Sequence, residues 1–390
     1  MARENIGLIG YDSYHFAVND LERSRRFYTE KFGFTEVARA SEELVERSGQ
    51  RSVVYGAGEV RVVVSTAMDT QKGHECKAAR YLKRHPAGIM SVSFRVHDLD
   101  KTWEILSRRG ATMLSEPSEH RDGSGVYRDF EIVTPLGDVN FRYVERRGDY
   151  PRFAPSFDTV DATPQPKNVF GIDCIDHITS NVLTLTPLIL WYREVLGMEH
   201  FWDIQFHTND ATQGDRKAGS GLKSIVMRDP ECGVKFANNE PMRPFFRDSQ
   251  INRFVEDNNG AGVQHVAFNV PKILPTVAEM RARGVDFLPT TGSYYDALPA
   301  RLERLRITNV KEALDELRAG QILLDGRDDK YMLQIFLRDA GQTYNDPKAG
   351  PFFYEIIQRA GDPGFGGGNF RALFEAIERD QFMQRSQPYD

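Results

Sequence analysis

Cysteine is scarce in this chain of 390 residues: Cys76, Cys174 and Cys232 are odd in number, widely spaced and without a CxxC pair. That excludes a disulfide framework and a thiolate zinc site, and leaves buried or incidental thiols. Long apolar runs are also missing. No stretch approaches the roughly 18 apolar residues of a membrane span, and the opening MARENIGLIG is too short and too polar for a secretory signal, so a cytoplasmic protein without membrane association is expected. The net charge of −6 is spread along the chain with no basic stripe, which gives nucleic acid nothing to bind. Two motifs of common enzymes are absent as well. There is no GxSxG nucleophile elbow, Gly219-Ser220-Gly221 being better read as a turn. The run Gly364-Phe365-Gly366-Gly367-Gly368-Asn369 lacks both the Lys-Ser/Thr of a P-loop and a strand leading into it, and reads as a hinge.

What is present is a diverged internal repeat. Gly88 to Phe94 (GIMSVSF) matches Gly262 to Phe268 (GVQHVAF), with Ser91 standing where His265 stands. Gly137 to Arg146 (GDVNFRYVER) lies without gaps on Gly350 to Arg359 (GPFFYEIIQR), and Arg142 falls opposite Glu355. A core that needed only to fold has no reason to acquire a histidine and a carboxylate at these positions. The divergence therefore assigns chemistry to the second half and scaffolding to the first.

Four prolines, Pro151, Pro155, Pro164 and Pro166, mark a stretch from Gly148 to Lys167 without helical or strand periodicity, the composition of an inter-domain linker. The expected division is residues 1–150, a linker at 151–167, and 168–390. Each side predicts two amphipathic helices. The first follows Asp20 as N-cap with Leu21, Tyr28 and Phe32 on one face; the second follows Asp98 with Leu99, Trp103 and Leu106. The third is capped at Thr186 with Pro187 in its first turn, and the fourth carries Ile273, Val277 and Met280 and closes on Gly284. Four strand-helix-strands modules in two pairs give an α+β fold of two tandem half-open β-barrels. A further helix from Phe370 to Phe382, within a C-terminal lid at about 364–384, has no counterpart in the first half.

His177 falls on the first strand of the third module, His265 on the first strand of the fourth, and Glu355 near the end of the fourth, so facing strands can bring them together. Two imidazoles and one carboxylate leave coordination positions open, the ligand set of a non-heme Fe(II) oxygenase. A lone strand histidine is more often a satisfied polar group than a ligand; the repeat comparison raises the odds by singling out His265 and Glu355. His74, His85, His120, His200 and His207 sit in polar or turn-like surroundings and read as surface residues.

Seven stretches in order, Gly171 to Val182, Asn239-Glu240-Pro241, Ser249-Gln250-Ile251, Gly260 to Phe268, Leu333 to Phe336, Glu355 to Arg359 and Gly364 to Phe374, resemble the 4-hydroxyphenylpyruvate dioxygenase family of the vicinal-oxygen-chelate fold group. The resemblance implies one Fe(II) per chain on His177, His265 and Glu355. It implies polar cavity positions at Ser224, Asn239, Gln250, Gln264 and Gln334, and aromatic walls and a lid helix at Phe336, Phe365 and Phe370. The activity it implies is the conversion of 4-hydroxyphenylpyruvate and O2 to homogentisate and CO2 in tyrosine catabolism, by a homo-oligomer, dimer or tetramer. Strand alternation makes Gln334 and Phe336 share a face, as do Phe353 and Glu355, but turns Gln264 away from His265 unless a bulge intervenes. The segment 339–350 is longer than the family pattern, and Tyr354 replaces an apolar residue and should face outward.

Three other functions compete. A 4-hydroxymandelate synthase would share ligands and substrate but hydroxylate the benzylic carbon, and Phe336 with Phe365 favours the homogentisate former. A ring-cleaving dioxygenase needs a further acid-base histidine on a cavity strand, which is not seen. A ligand-sequestering protein of the same fold needs no metal triad.

Overall fold

The computed structural model describes residues 4–160, 167–207, 221–243 and 246–372. The first half holds β1 (Leu8–Ala17), β2 (Thr35–Ala40), β3 (Gln50–Ala57), β4 (Val60–Ala67), β5 (Gly88–Val96), β6 (Ser118–Asp122), β7 (Gly125–Val133) and β8 (Asn140–Arg147), followed by β9 (Phe157–Thr159). The second half holds β10 (Ile175–Asn181), β11 (Glu199–His207), β12 (Gly221–Arg228), β13 (Lys235–Pro241), β14 (Gly262–Asn269), β15 (Leu323–Arg327), β16 (Lys330–Phe336) and β17 (Phe353–Ala360). They form two curled sheets, ordered β6-β7-β8-β5-β1-β4-β3-β2-β9 and β11-β12-β13-β10-β14-β17-β16-β15. Apart from β9 the two orders are mirror statements of one plan, in which the first strands of paired modules lie side by side at the centre.

The helices form where their caps predict. Asp20 and Asp98 accept from the backbone N–H groups of Arg23 and Lys101, satisfying donors that the first turn leaves unpaired. Gly110 and Gly284, at φ +81° and +76°, turn the chain out of the second and fourth helices. The third helix, Thr186–Trp191, takes Leu185 as its cap, so Thr186 is already inside it. In both halves the first helix widens into a π turn, at Phe27–Lys31 and at Tyr192–Leu196, a detail that the duplication preserved. Between β14 and β15 the fourth module carries three short helices beyond the expected one, Gly292–Asp296, Leu298–Arg304 and Leu314–Gly320.

One apolar core joins the halves, with Phe236 stacked on both Phe141 and Tyr192 at ring separations of 5.4 and 5.2 Å. At the same seam Tyr354 is buried, 4 % exposed, and its hydroxyl lies 2.8 Å from that of Tyr14 and 2.5 Å from that of Tyr28. It points out of the half-barrel, as alternation requires, but into the other half rather than into solvent. The long segment at 339–350 folds into helical turns at Ala340–Thr343 and Pro347–Ala349 and docks on the first half, where Asp346 pairs with Arg23 at 2.7 Å.

Three other expectations need correcting. The linker is not structureless, because β9 pairs with β2 and extends the first sheet, while 161–166 lie outside the described residues. His85 is not a surface residue: it is 6 % exposed, held by the carbonyl of Asn258 at 2.6 Å and by Asp138 at 2.9 Å. The C-terminal helix starts at 367 rather than 370, and residues 373–390, Phe374 among them, lie outside the described residues.

Candidate metal centre

Three adjacent central strands supply the site. His177 on β10, His265 on β14 and Glu355 on β17 are 1–2 % exposed, and one ligand atom from each lies within 4.8 Å of the others. Register fixes this meeting, since His177 and Glu355 both pair with Ala267, from opposite sides. The Nε2 atoms of His177 and His265 stand 3.4 and 3.3 Å from Glu355 Oε2. Buried ionisable groups converge in this way only when paired or metal-bound, and three atoms with no intervening side chain fit a cation. Among the described residues no other His/Cys/Asp/Glu group of that kind occurs.

Each ligand is held from behind. His177 Nδ1 meets Asp176 Oδ1 at 2.8 Å, so its Nε2 lone pair is aimed at the site. Asp176 is itself gripped by Arg359, at 2.5 and 2.7 Å, and by Lys235 at 3.3 Å. His265 Nδ1 meets Gln264 Oε1 at 3.0 Å, and Gln334 donates to Glu355 Oε1 at 2.8 Å. Two neighbours in a regular strand could not make such contacts. Both strands are bulged: β10 skips a partner between Ile175 and His177, and the register beyond His265 resumes at Val263. The extra residues are Asp176 and Gln264, which is how each reaches the imidazole beside it.

Burial would raise the carboxyl of Glu355, but His177 and His265 hold it down at about 2. Burial depresses both imidazoles; Glu355 and Asp176 more than offset this at His177, whereas His265 remains lowered. Burial would likewise raise Asp176, yet Arg359 and His177 keep it well below the usual carboxylate range. The centre is thus an ionised carboxylate facing two nitrogen donors.

The remaining expected residues lie around it. Phe365 meets the His177 ring edge-on at 4.7 Å and Phe336 lies 6.2 Å from the His265 ring. Phe370 packs with Phe336, Phe206 and Ile251. Ser224 and Asn239 are register partners on β12 and β13; Ser224 Oγ and Asn239 Oδ1 are buried without a partner among the described residues. Gln250 opens the helix Gln250–Asp257 and is 3 % exposed. Gln334 also accepts from Asn369 at 2.9 Å, tying the C-terminal segment to the ligand carboxylate. Sequence reasoning missed Asp176, Lys235 and Arg359, and also Phe353, which stacks on His265 at 4.8 Å, and Trp202, 5.7 Å from Phe365. Arg359 was detectable: the same alignment that pairs Arg142 with Glu355 pairs Arg146 with it.

Residues 10–137 and 174–298 match the family described as the Glyoxalase/Bleomycin resistance protein/Dioxygenase superfamily. A 4-hydroxyphenylpyruvate dioxygenase of Dictyostelium discoideum is 32 % identical over 95 % of this chain and 98 % of its own. That of Danio rerio is 33 % identical over 96 % and 91 %. Among solved structures, a mutant 4-hydroxymandelate synthase from Streptomyces coelicolor superposes with a TM-score of 0.78 at 26 % identity, covering 96 % of this chain and 99 % of that one.

Proposed function

Since the chain belongs to the 4-hydroxyphenylpyruvate dioxygenases of the glyoxalase/bleomycin-resistance/dioxygenase superfamily, we propose that His177, His265 and Glu355 hold the metal of that reaction, one Fe(II) per chain. The enzyme converts 4-hydroxyphenylpyruvate and O2 to homogentisate and CO2. The observation that carries the reading is the convergence of three buried ligand atoms within 4.8 Å on neighbouring strands.

Bound iron supplies a Lewis acid that can take a 2-oxo acid through two oxygens and leave a position for O2. The protein does the rest by placement. Asp176 and Gln264 fix the imidazole rings, and Gln334 fixes the carboxylate, so the three side chains that would hold the metal keep their ligand atoms turned towards one another. Ser224, Asn239 and Gln250 offer hydrogen bonds to the polar ends of the substrate, which a buried cavity must satisfy. Phe336, Phe365 and Phe370 confine the ring beside the metal and exclude water. No side-chain nucleophile is required.

The likeness to a hydroxymandelate synthase keeps one rival in view. Product identity decides: the protein incubated with Fe(II), ascorbate and 4-hydroxyphenylpyruvate should yield homogentisate, and 4-hydroxymandelate would sink the assignment. His265→Ala should lose both iron and turnover; a variant retaining them would remove the site.

A further inference from the structure

The strand registers let the halves be compared position by position. Ser13 pairs with Ser93 as His177 pairs with Ala267, and Ser93 with Arg142 as Ala267 with Glu355. Ser13, Ser91 and Arg142 therefore occupy the places of His177, His265 and Glu355. On the same registers Ser52 and Ser65 stand for Ser224 and Asn239, and Asp129 and Glu131 for Gln334 and Phe336. A half that had lost its site and kept only a structural role would fill these positions with apolar side chains, because a packed apolar core needs no partners. Instead all are polar, and five of them, Ser13, Ser52, Ser91, Asp129 and Arg142, line a cavity of about 270 Å3 inside the first half-barrel.

The chemistry of the cavity is lopsided. Glu131 is committed: one oxygen takes two bonds from Arg142 and the other takes Lys77 at 2.8 Å. Asp129 accepts from Ser118 and lies 3.4 Å from Arg142 Nε. Donors are left over. Ser91 is 2 % exposed and its Oγ has no partner among the described residues. Arg142 Nη1 and the remaining hydrogens of Lys77 have no acceptor among the described residues, and both side chains line the cavity. Lys77 and Arg142 balance Glu131 and Asp129, so the group is neutral and what it offers a ligand is hydrogen-bond donors rather than net charge. Phe153, Phe157 and Leu44 make an apolar wall.

We propose that the first half-barrel binds a small aromatic carboxylate, its acid group on Ser91, Arg142 and Lys77 and its ring against Phe153 and Phe157, without a metal. Two serines and an arginine at the former ligand positions hold no cation. They do present donors to an anion, and Arg142 suits a carboxylate because its planar fork matches the two oxygens. The site is separate from the metal centre, so the proposal stands or falls independently of the reaction assigned above.

The probe is 4-hydroxyphenylacetate, which has the ring and the acid but no 2-oxo group, in equilibrium dialysis against the full-length iron-loaded protein. The unaltered protein should bind one equivalent more than Ser91→Leu, which removes the hydroxyl and intrudes on the cavity, and one more than Arg142→Gln, which removes the fork. Turnover of the 2-oxo acid in the absence of probe should be unchanged in both. Arg142→Gln is the decisive variant if Ser91→Leu does not fold. Equal stoichiometry in the unaltered protein and Arg142→Gln overturns the proposal.

Discussion

Replacing Asp176 by Asn tests whether the residue behind His177 orients a metal ligand or merely closes a buried charge pair. The change keeps the shape and removes the charge that Arg359 and Lys235 share at 2.5 to 3.3 Å. Breaking a buried pair typically costs about 3–5 kcal/mol. The lower end is expected because Arg359 keeps the carbonyls of Asp362 and Gly364, both at 2.8 Å. Loss of the carboxylate behind a metal-bound imidazole should also weaken metal binding by about 10- to 100-fold. The repeat supplies the control. Asp12 occupies the place of Asp176 and pairs with Arg146, which also donates to the carbonyl of Phe153 at 2.7 Å. Asp12→Asn should therefore lose similar stability and no metal affinity. Urea unfolding gives the first quantity and competition with a chelator the second. If Asp176→Asn held its metal as tightly as the unaltered protein, or if Asp12→Asn weakened it equally, the orienting role would be refuted.

Asp325 accepts from the backbone of Gly368 at 2.6 Å and so caps the C-terminal helix against the barrel; Asp325→Ala should cost about 0.5–2 kcal/mol of that docking, raising KM and lowering the product formed per O2 consumed. Unchanged coupling would show that the segment is not what seals the site. Burial would raise Glu131, but Arg142 and Lys77 hold it at about 2. Against an unfolded value of about 4.3, this contributes about 3 kcal/mol that is fully present above that value and lost as pH falls towards 2. Urea unfolding across that acid range should therefore show a steeper loss in the unaltered protein than in Glu131→Gln, and parallel curves would contradict the pairing. Tyr354→Phe removes the hydroxyl that Tyr14 and Tyr28 share and should cost about 1–3 kcal/mol with iron content unchanged; no shift in the unfolding midpoint would mean that the hydroxyl cluster contributes nothing to the seam.

The sequence made the paired modules legible because capped amphipathic helices and repeated strands are local patterns, and comparison of the halves exposed His265 and Glu355. What it hid has a common physical cause. Asp176 sits next to His177, where alternation assigns it to the opposite face; only a bulge, invisible in residue identity, brings the two together. His85 looks solvated because its partners, Asp138 and Asn258, lie far away in the chain. The linker concealed β9 because a strand of three residues shows no periodicity. Tyr354 was placed on the correct side of its strand, but no local signal says that this side faces another half rather than water.

His177, His265 and Glu355 and the C-terminal segment should keep very different time. β10, β14 and β17 are consecutive and interior in an eight-stranded sheet, so the spacing of the three ligands cannot change unless two ladders of backbone hydrogen bonds open. Amides on these strands should exchange with solvent only through opening of the whole half-barrel, the slowest class of exchange. Residues 364–372 pair with no strand; they are held by Asp325, by the bonds of Asn369 with Gln334 and Tyr294, and by the buried rings of Phe365 and Phe370. Their amides should therefore exchange by local opening while His177, His265 and Glu355 stay in register, a separation that hydrogen exchange reads residue by residue.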